Sequence, residues 1–317
     1  MLTLTLVVLA VLFAVVNGMN DGGALSSVGL KLAAWPPLAA VGVLAAGLVV
    51  VPWFGSTAVA ETLTTQLVRF HGEQGRVALL VALVTTLLVV STMAALRVPT
   101  SMTLASVGAL AGAGLGTGLQ VSLTTLGFVL GMGVAAPLLG ALLAAVVATV
   151  IAVWPSRRRV RRRLLPLHYA GFTTMSLTYG LNDGQRMIAF LALAVETEPA
   201  SLPLWWLVVV AACFAAGATV GLVRFAGPLT RGVMTTSPHH GVAAQLAASG
   251  AAGLSASVGA PVSMTQTVTG GLLGSSVLEG WTRIRWDEVS RMAGAWVATL
   301  PTALALGTVL GAGTRPL

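Results

Sequence analysis

The feature that most narrows what this chain can become is a repeat whose copies share a single offset. Asn20-Asp21-Gly22 returns as Asn182-Asp183-Gly184, 162 positions on, and Pro99-x-Ser101-Met102-Thr103 returns as Pro261-x-Ser263-Met264-Thr265 at the same distance. Gly18, Gly55, Thr57, Arg69, Gly108 and Gly112 recur at the same offset as Gly180, Gly217, Thr219, Arg231, Gly270 and Gly274. One offset held over this length makes the chain two homologous halves, residues 1–155 and 165–317, joined by an arginine-rich linker at 156–164. Matching motifs must then occupy related positions in the fold.

The solvent of that fold follows from composition. Only 8% of the 317 residues are charged, 56% are hydrophobic and the mean hydropathy is +0.92, whereas a soluble domain carries about 25% charged residues. Apolar stretches of spanning length, about 20 residues each, lie near 37–55, 77–96, 121–154, 170–195, 203–226 and 290–314. A further one at the N-terminus lacks a basic leader and runs into a Gly-rich polar motif, so it reads as a retained membrane helix. Thirty-seven glycines favour close-packed helices over a barrel. The expectation is an all-α polytopic membrane protein of the cytoplasmic membrane. The 121–154 run is too long for one upright helix and is expected to be tilted, or broken near Gly131, Gly133 and Pro137.

The net charge of +8 does not indicate a nucleic-acid partner. Six arginines fall between Arg157 and Arg163, and by the positive-inside rule that loop is cytoplasmic. A single cysteine, Cys213, excludes an intramolecular disulfide and a multi-cysteine metal site. His71, His168, His239 and His240 fall in or beside expected loops and are expected at the surface. No cofactor is expected beyond a coupling ion.

Duplicated halves with interrupted apolar segments at matching positions describe secondary transporters, with the substrate at the repeat interface. The interruptions are the two Asn-Asp-Gly and the two Pro-x-Ser-Met-Thr segments, and all four are expected to converge. Of nine acidic residues, only Asp21 and Asp183 lie deep in apolar surroundings, where a carboxylate costs at least ~2.5 kcal/mol and needs a partner. With Asn20 and Asn182 they offer oxygen ligands to a coupling cation such as Na⁺, or carry a proton. A buried aspartate that only caps a helix is the plainer alternative, and it would have to occur twice at symmetric positions. The Pro-led segments should each open a helix whose N–H groups and hydroxyls, from Ser101, Thr103, Ser263 and Thr265, suit an anion. Small packing residues are the alternative there. Arg186, three residues after Asp183, either neutralises it or meets the substrate, and Gln185 can add an amide.

These motifs resemble the inorganic phosphate transporter (PiT) family, which carries G-x-N-D early and P-V-S-T-T-H late in each half. The matching stretches are Gly18-Met19-Asn20-Asp21, Gly180-Leu181-Asn182-Asp183-Gly184-Gln185-Arg186, Val98-Pro99-Thr100-Ser101 and Ala260-Pro261-Val262-Ser263. The tail Ile284-Arg285-Trp286, Ala295-Trp296-Val297 and Thr299-Leu300-Pro301 is similar to the family's C-terminal pattern. The resemblance implies inverted repeats, re-entrant hairpins, a homodimer in the lipid bilayer and cation-coupled uptake of phosphate, driven by Na⁺ or H⁺. The chain departs from the pattern at Met102 and Met264, which replace the first Thr, and at Leu104 and Gln266, which replace His. Ala24 stands where the first half often has Asn. A paired loss of donors marks a divergent subgroup and leaves sulfate or another oxyanion as the rival substrate. A channel is a further class. Two intramembrane aspartates also suit an aspartyl protease, but the Tyr-Asp and Gly-x-Gly-Asp motifs of that family are missing, and the expectation is a carrier and not an enzyme.

Overall fold

The computed structural model describes residues 1–29, 35–55, 57–96, 100–153, 160–232, 238–277, 280, 282 and 284–315. It is helical throughout the elements it describes. In the first half these are α1 (Leu2–Asn17), α2 (Gly23–Gly29), α3 (Pro37–Phe54), the short α4 (Ala58–Glu61), α5 (Gly72–Ala95), α6 (Met102–Thr117) and α7 (Leu123–Ala152). The second half holds α8 (Val160–Tyr179), α9 (Gln185–Ala194), α10 (Leu204–Gly232), α11 (Pro238–Ser257), α12 (Met264–Val277) and α13 (Trp286–Ala312). Among the described residues, six helices are long and apolar enough to cross a membrane. The chain is a multi-pass membrane protein.

Two joints carry the repeat. α1 passes into α2, and α8 into α9, through single π-helical turns at Gly18–Gly22 and Gly180–Gly184. These turns hold the two Asn-Asp-Gly motifs. A π-turn inserts an extra residue into the helical ladder and commonly marks a functional site, so the duplicated motif coincides with a duplicated irregularity of the backbone.

The two broken helices run in opposite directions. Arg76, at the start of α5, donates to Thr3 beside the start of α1 and pairs with Glu196 just beyond α9. Trp35, after α2, packs edge-on against Tyr169 in the first part of α8, with ring centroids 4.9 Å apart. The continuous run Leu2–Val28 has 27 residues and is about 40 Å long at 1.5 Å per residue, so these contacts mark opposite ends of the bundle. The first broken helix leaves the end at which the second one arrives.

Glycines let the halves interlock. A Cβ on Gly108 or Gly112 of α6 would strike the carbonyls of Leu300 or Leu304 on α13, and one on Gly270 or Gly274 of α12 would strike Pro137 or Ala141 on α7. The second set is the first exchanged between halves by the 162 offset, to within one residue. Likewise Gly18 lies against Phe214 of α10, and Gly180 against Gly47 of α3. Without a hydrophobic driving force between helices in lipid, this backbone proximity is what gives the packing its dispersion energy.

The shorter helices are framed by their own sequence. Ser101 caps α6, its hydroxyl accepting from the Leu104 N–H at 3.2 Å, and Gly118 ends the helix in the left-handed region at φ 87°. Ser122 caps α7 in the same way, through Thr125 N–H at 3.1 Å. The expectation of a break in α7 is not met. It runs unbroken for 30 residues through Gly131, Gly133 and Pro137, about 45 Å, and lays Leu123, Phe128, Val134, Leu138, Leu142, Val146 and Val150 outward. Side chains at Gly131 and Gly133 would meet nothing closer than Leu104, so no packing demand bends the helix there.

Two expectations are corrected here. His168 and His240 are buried, not superficial, because α8 already begins at Val160 and α11 at Pro238, which puts both inside helices. His71 is exposed and His239 half-buried. The arginine run Arg157 to Arg163 is divided: residues 154–159 lie outside the described residues, and Arg161 to Arg163 fall within the first turn of α8.

Candidate functional site

The four interrupted segments meet. Within the first half, the Asn20 amide donates to the Thr100 carbonyl at 3.3 Å. Within the second, Asn182 does the equivalent twice over: its Oδ1 accepts from Val262 N–H at 3.0 Å and its Nδ2 donates to the Ala260 carbonyl at 3.3 Å. Each motif asparagine thus ties its π-turn to the loop that leads into α6 or α12. Across the halves, Thr103 donates to the Val262 carbonyl at 3.4 Å, and Arg186 donates to the Thr103 hydroxyl. Pro99, the first residue of its segment, lies outside the described residues.

The helix N-termini come with hydroxyls attached. Ser101, Thr103, Ser263 and Thr265 are all buried. Ser263 and Thr265 share a hydrogen bond at 3.0 Å, and Ser263 receives the Gln266 N–H at 3.4 Å. Met102 and Met264, where a threonine was expected from the family pattern, are fully buried in the apolar core. Their helices therefore open on packing, not on an extra donor. Gln266 is buried with its Oε1 unpaired.

Charge is distributed unevenly between the matching halves. Asp21 and Asp183 are both buried, and they are close enough to act on one another electrostatically. Arg186, also buried, sits on Asp183 with Nη2 to Oδ1 at 2.5 Å. Among the described residues no guanidinium pairs with Asp21; its Oδ1 accepts from the neighbouring Asn20 amide at 2.8 Å. The difference is written in the sequence, since the position equivalent to Arg186 is Ala24. Arg186 is further held over the Phe13 ring, 5.8 Å from its centroid, and Phe13 packs edge-on against Phe190 at 4.8 Å. The site therefore sets one guanidinium against two carboxyl groups.

Gln185 reaches the bundle's first half. Its Oε1 accepts from the N–H groups of Val59 and Ala60, at 2.8 and 3.1 Å, and so caps the short helix α4. Of the residues expected from the motifs, Asn20, Asp21, Asn182, Asp183, Thr103 and Arg186 take part in the contacts above, and Ser101 caps α6. Ser263 and Thr265 begin the opposing helix, and Gln185 caps α4. Two side chains outside the motifs also enter: Asn17 and Tyr179, both fully buried, face each other next to the aspartates. They are four residues before Asp21 and Asp183, and themselves 162 apart. Identity matching overlooks them because the two residues differ, although the offset alone would have paired them. Among the described residues, no group of three or more His, Cys, Asp or Glu is gathered as a metal would require.

Comparison with known proteins agrees with the motif resemblance. Residues 166–307 match the model of the phosphate transporter family. A probable low-affinity inorganic phosphate transporter of Mycobacterium tuberculosis (strain ATCC 25618 / H37Rv) is 38% identical over 139 residues, 42% of this chain and 33% of its own length. One of the same description from Bacillus subtilis (strain 168) is 25% identical over 139 residues, 42% of each chain. The matched stretch is thus about a third of the length of the mycobacterial relative. A solved structure titled as the sodium-dependent phosphate transporter superposes with a TM-score of 0.83 over 98% of both chains, at 15% identity. That likeness shows that the fold is shared from end to end. The proteins found are transporters and none is an enzyme.

Proposed function

We propose that this chain is a secondary carrier that brings inorganic phosphate across the cytoplasmic membrane together with a cation. The observation that carries the reading is the hydrogen-bonded union of all four motif segments, from both halves, around two helix N-termini and two buried carboxylates. Helix N-termini and hydroxyls recognise a tetrahedral oxyanion. Arg186 adds a fixed positive charge beside Thr103, and Thr103, Ser101, Ser263 and Thr265 line the anion's side of the site. The matched relatives are described as phosphate transporters, which supports phosphate over sulfate.

Coupling follows from charge. Bringing one negative charge inward against 100 mV costs about 2.3 kcal/mol, so a cation must travel with the anion for uptake to be concentrative. The neighbour of shared fold is sodium-dependent by its title, which makes Na⁺ the first ion to test. Inverted halves joined by glycine contacts between α6 and α13, and between α7 and α12, can rock about the site to expose it to each side in turn.

The test is uptake of labelled phosphate into proteoliposomes with Na⁺ and pH gradients imposed separately, challenged with sulfate and arsenate. Accumulation driven by one cation gradient, inhibited by arsenate more than by sulfate, is expected. Asp21→Asn and Asp183→Asn should each abolish accumulation against a gradient. No uptake with either gradient would sink the carrier reading, and stronger inhibition by sulfate would reassign the anion.

A further inference from the structure

One buried contact beside the site is made from outside its motifs. Thr299, on α13, is 0% exposed, and its hydroxyl lies 2.7 Å from that of Thr100 in the loop that leads into α6. A hydroxyl has one proton to give. That of Thr299 goes to the Ala295 carbonyl one turn back, at 2.7 Å, so between the two hydroxyls Thr100 donates and Thr299 accepts. Thr100 is itself buried, and its carbonyl accepts from the Asn20 amide at 3.3 Å. The residue before the cap of α6 is therefore held from two sides, by the second half through its side chain and by the first π-turn through its backbone.

What is held is the start of a helix. The Ser101 hydroxyl accepts from Leu104 N–H and its carbonyl from Ala105 N–H, which leaves the N–H groups of Met102 and Thr103 outside the helical ladder. Those groups are the ones a helix start offers an anion. Their direction is set by the chain that enters the helix, and Thr100 is where that chain is fastened. The repeat does not supply the same fastening twice. The 162 offset carries Thr100 to Val262 and Thr299 back to Pro137, and neither of those side chains has an atom that donates or accepts. In the second half Asn182 holds the loop alone, through Val262 N–H and the Ala260 carbonyl. Among the described residues Asn20 gives its own loop a single bond, and Thr299 adds the second from the opposite half.

We propose that Thr299 is a positioning residue for the anion site: by accepting from the Thr100 hydroxyl it sets the direction of the N–H groups that open α6. The inference rests on the carrier reading, in which the start of α6 meets phosphate, and it adds a residue that acts through Thr100 and not on the anion. α13 can reach the loop because it lies against α6 at Gly108 and Gly112, where a Cβ would strike the Leu300 and Leu304 carbonyls. The same close crossing that joins the halves thus carries the hydroxyl that fixes the first hairpin's tip.

The experiment is equilibrium binding of labelled phosphate to the full chain in lipid nanodiscs, with uptake into proteoliposomes run beside it. Thr299→Val keeps the shape of the side chain and removes the acceptor, which strands the buried Thr100 hydroxyl. It should raise the Kd for phosphate about ten-fold, an order of magnitude short of what a misplacement of about 1 Å can cost a reaction. Thr299→Ser restores the acceptor but not the methyl group, so it should return the Kd to near the wild-type value, which a packing role would not do. Thr100→Val copies the second half's Val262 and should weaken binding as Thr299→Val does, and the double variant no further, because both remove one bond. If Thr299→Val does not fold, Thr100→Val against Thr100→Ser makes the same comparison from the loop. An unchanged Kd in Thr299→Val, a Thr299→Ser variant as weak as Thr299→Val, or additive losses in the double variant would overturn the assignment. If the variants weaken phosphate binding as described but no cation gradient drives uptake by the wild type, the carrier reading fails and the positioning role stands.

Discussion

Replacing Arg186 by methionine removes the guanidinium paired with Asp183 while keeping an apolar side chain of similar length over Phe13. The pair it breaks is buried on both sides, with side-chain exposures of 1% and 0% and a contact of 2.5 Å. With the charge centres about 4 Å apart, an effective dielectric of 20 puts the attraction near 4 kcal/mol. Removing one partner of a buried pair costs about 3–5 kcal/mol, because the other charge is stranded. Arg186→Met is therefore expected to destabilise the protein by about 3–5 kcal/mol, and Asp183→Asn by a similar amount. The double variant should recover most of the loss, since two neutral side chains strand no charge. Asp21→Asn should behave differently. Among the described residues Asp21 accepts only from an amide, so Asp21→Asn breaks no buried ion pair and should cost little. Reversible unfolding in mixed micelles, followed by tryptophan fluorescence, measures all four variants. A loss of about 1 kcal/mol or less for Arg186→Met, the range of exposed pairs, or additive losses in the double variant, would refute the asymmetric pairing.

Gly112→Leu and Gly274→Leu should each abolish the folded monomer on size exclusion, and to the same degree, because each drives a side chain into the backbone of the opposite half at equivalent crossings. Ser101→Ala removes the cap of α6 and should cost about 1 kcal/mol of stability, with a raised KM for phosphate in the uptake assay. Glu196→Gln breaks the pair with Arg76, in which Glu196 is 57% exposed, and should shift stability by at most about 1 kcal/mol while leaving uptake unchanged.

Much of this architecture was legible beforehand. The offset predicted two halves and the convergence of four segments, and the structure joins those segments by hydrogen bonds. The starts of α6 and α12 followed from the Pro-x-Ser segments, since a serine ahead of an apolar run is a local signal that needs no partner. Of the two readings of the long run, tilted or broken, the break is not met in α7, because Gly131, Gly133 and Pro137 break a helix only where nothing else stabilises it, and in a membrane the unbroken ladder is the cheaper solution. The buried histidines were missed for a related reason. An arginine-rich stretch reads as a loop, but α8 begins within it and carries His168 inside.

The sequence by itself determined that the chain lives in a membrane, that its motifs recur at one offset, and that two aspartates sit where charge is costly. Those properties belong to composition, spacing and local pattern. Only the tertiary structure decided which aspartate receives the guanidinium, that Asn20 and Asn182 serve the loops while Gln185 caps α4, and that Asn17 meets Tyr179. Most of these depend on segments far apart in the chain meeting: Asn20 reaches Thr100, Asn182 reaches Val262 and Gln185 reaches Val59. Such packing joins residues that share no local periodicity, so no window of the chain contains it.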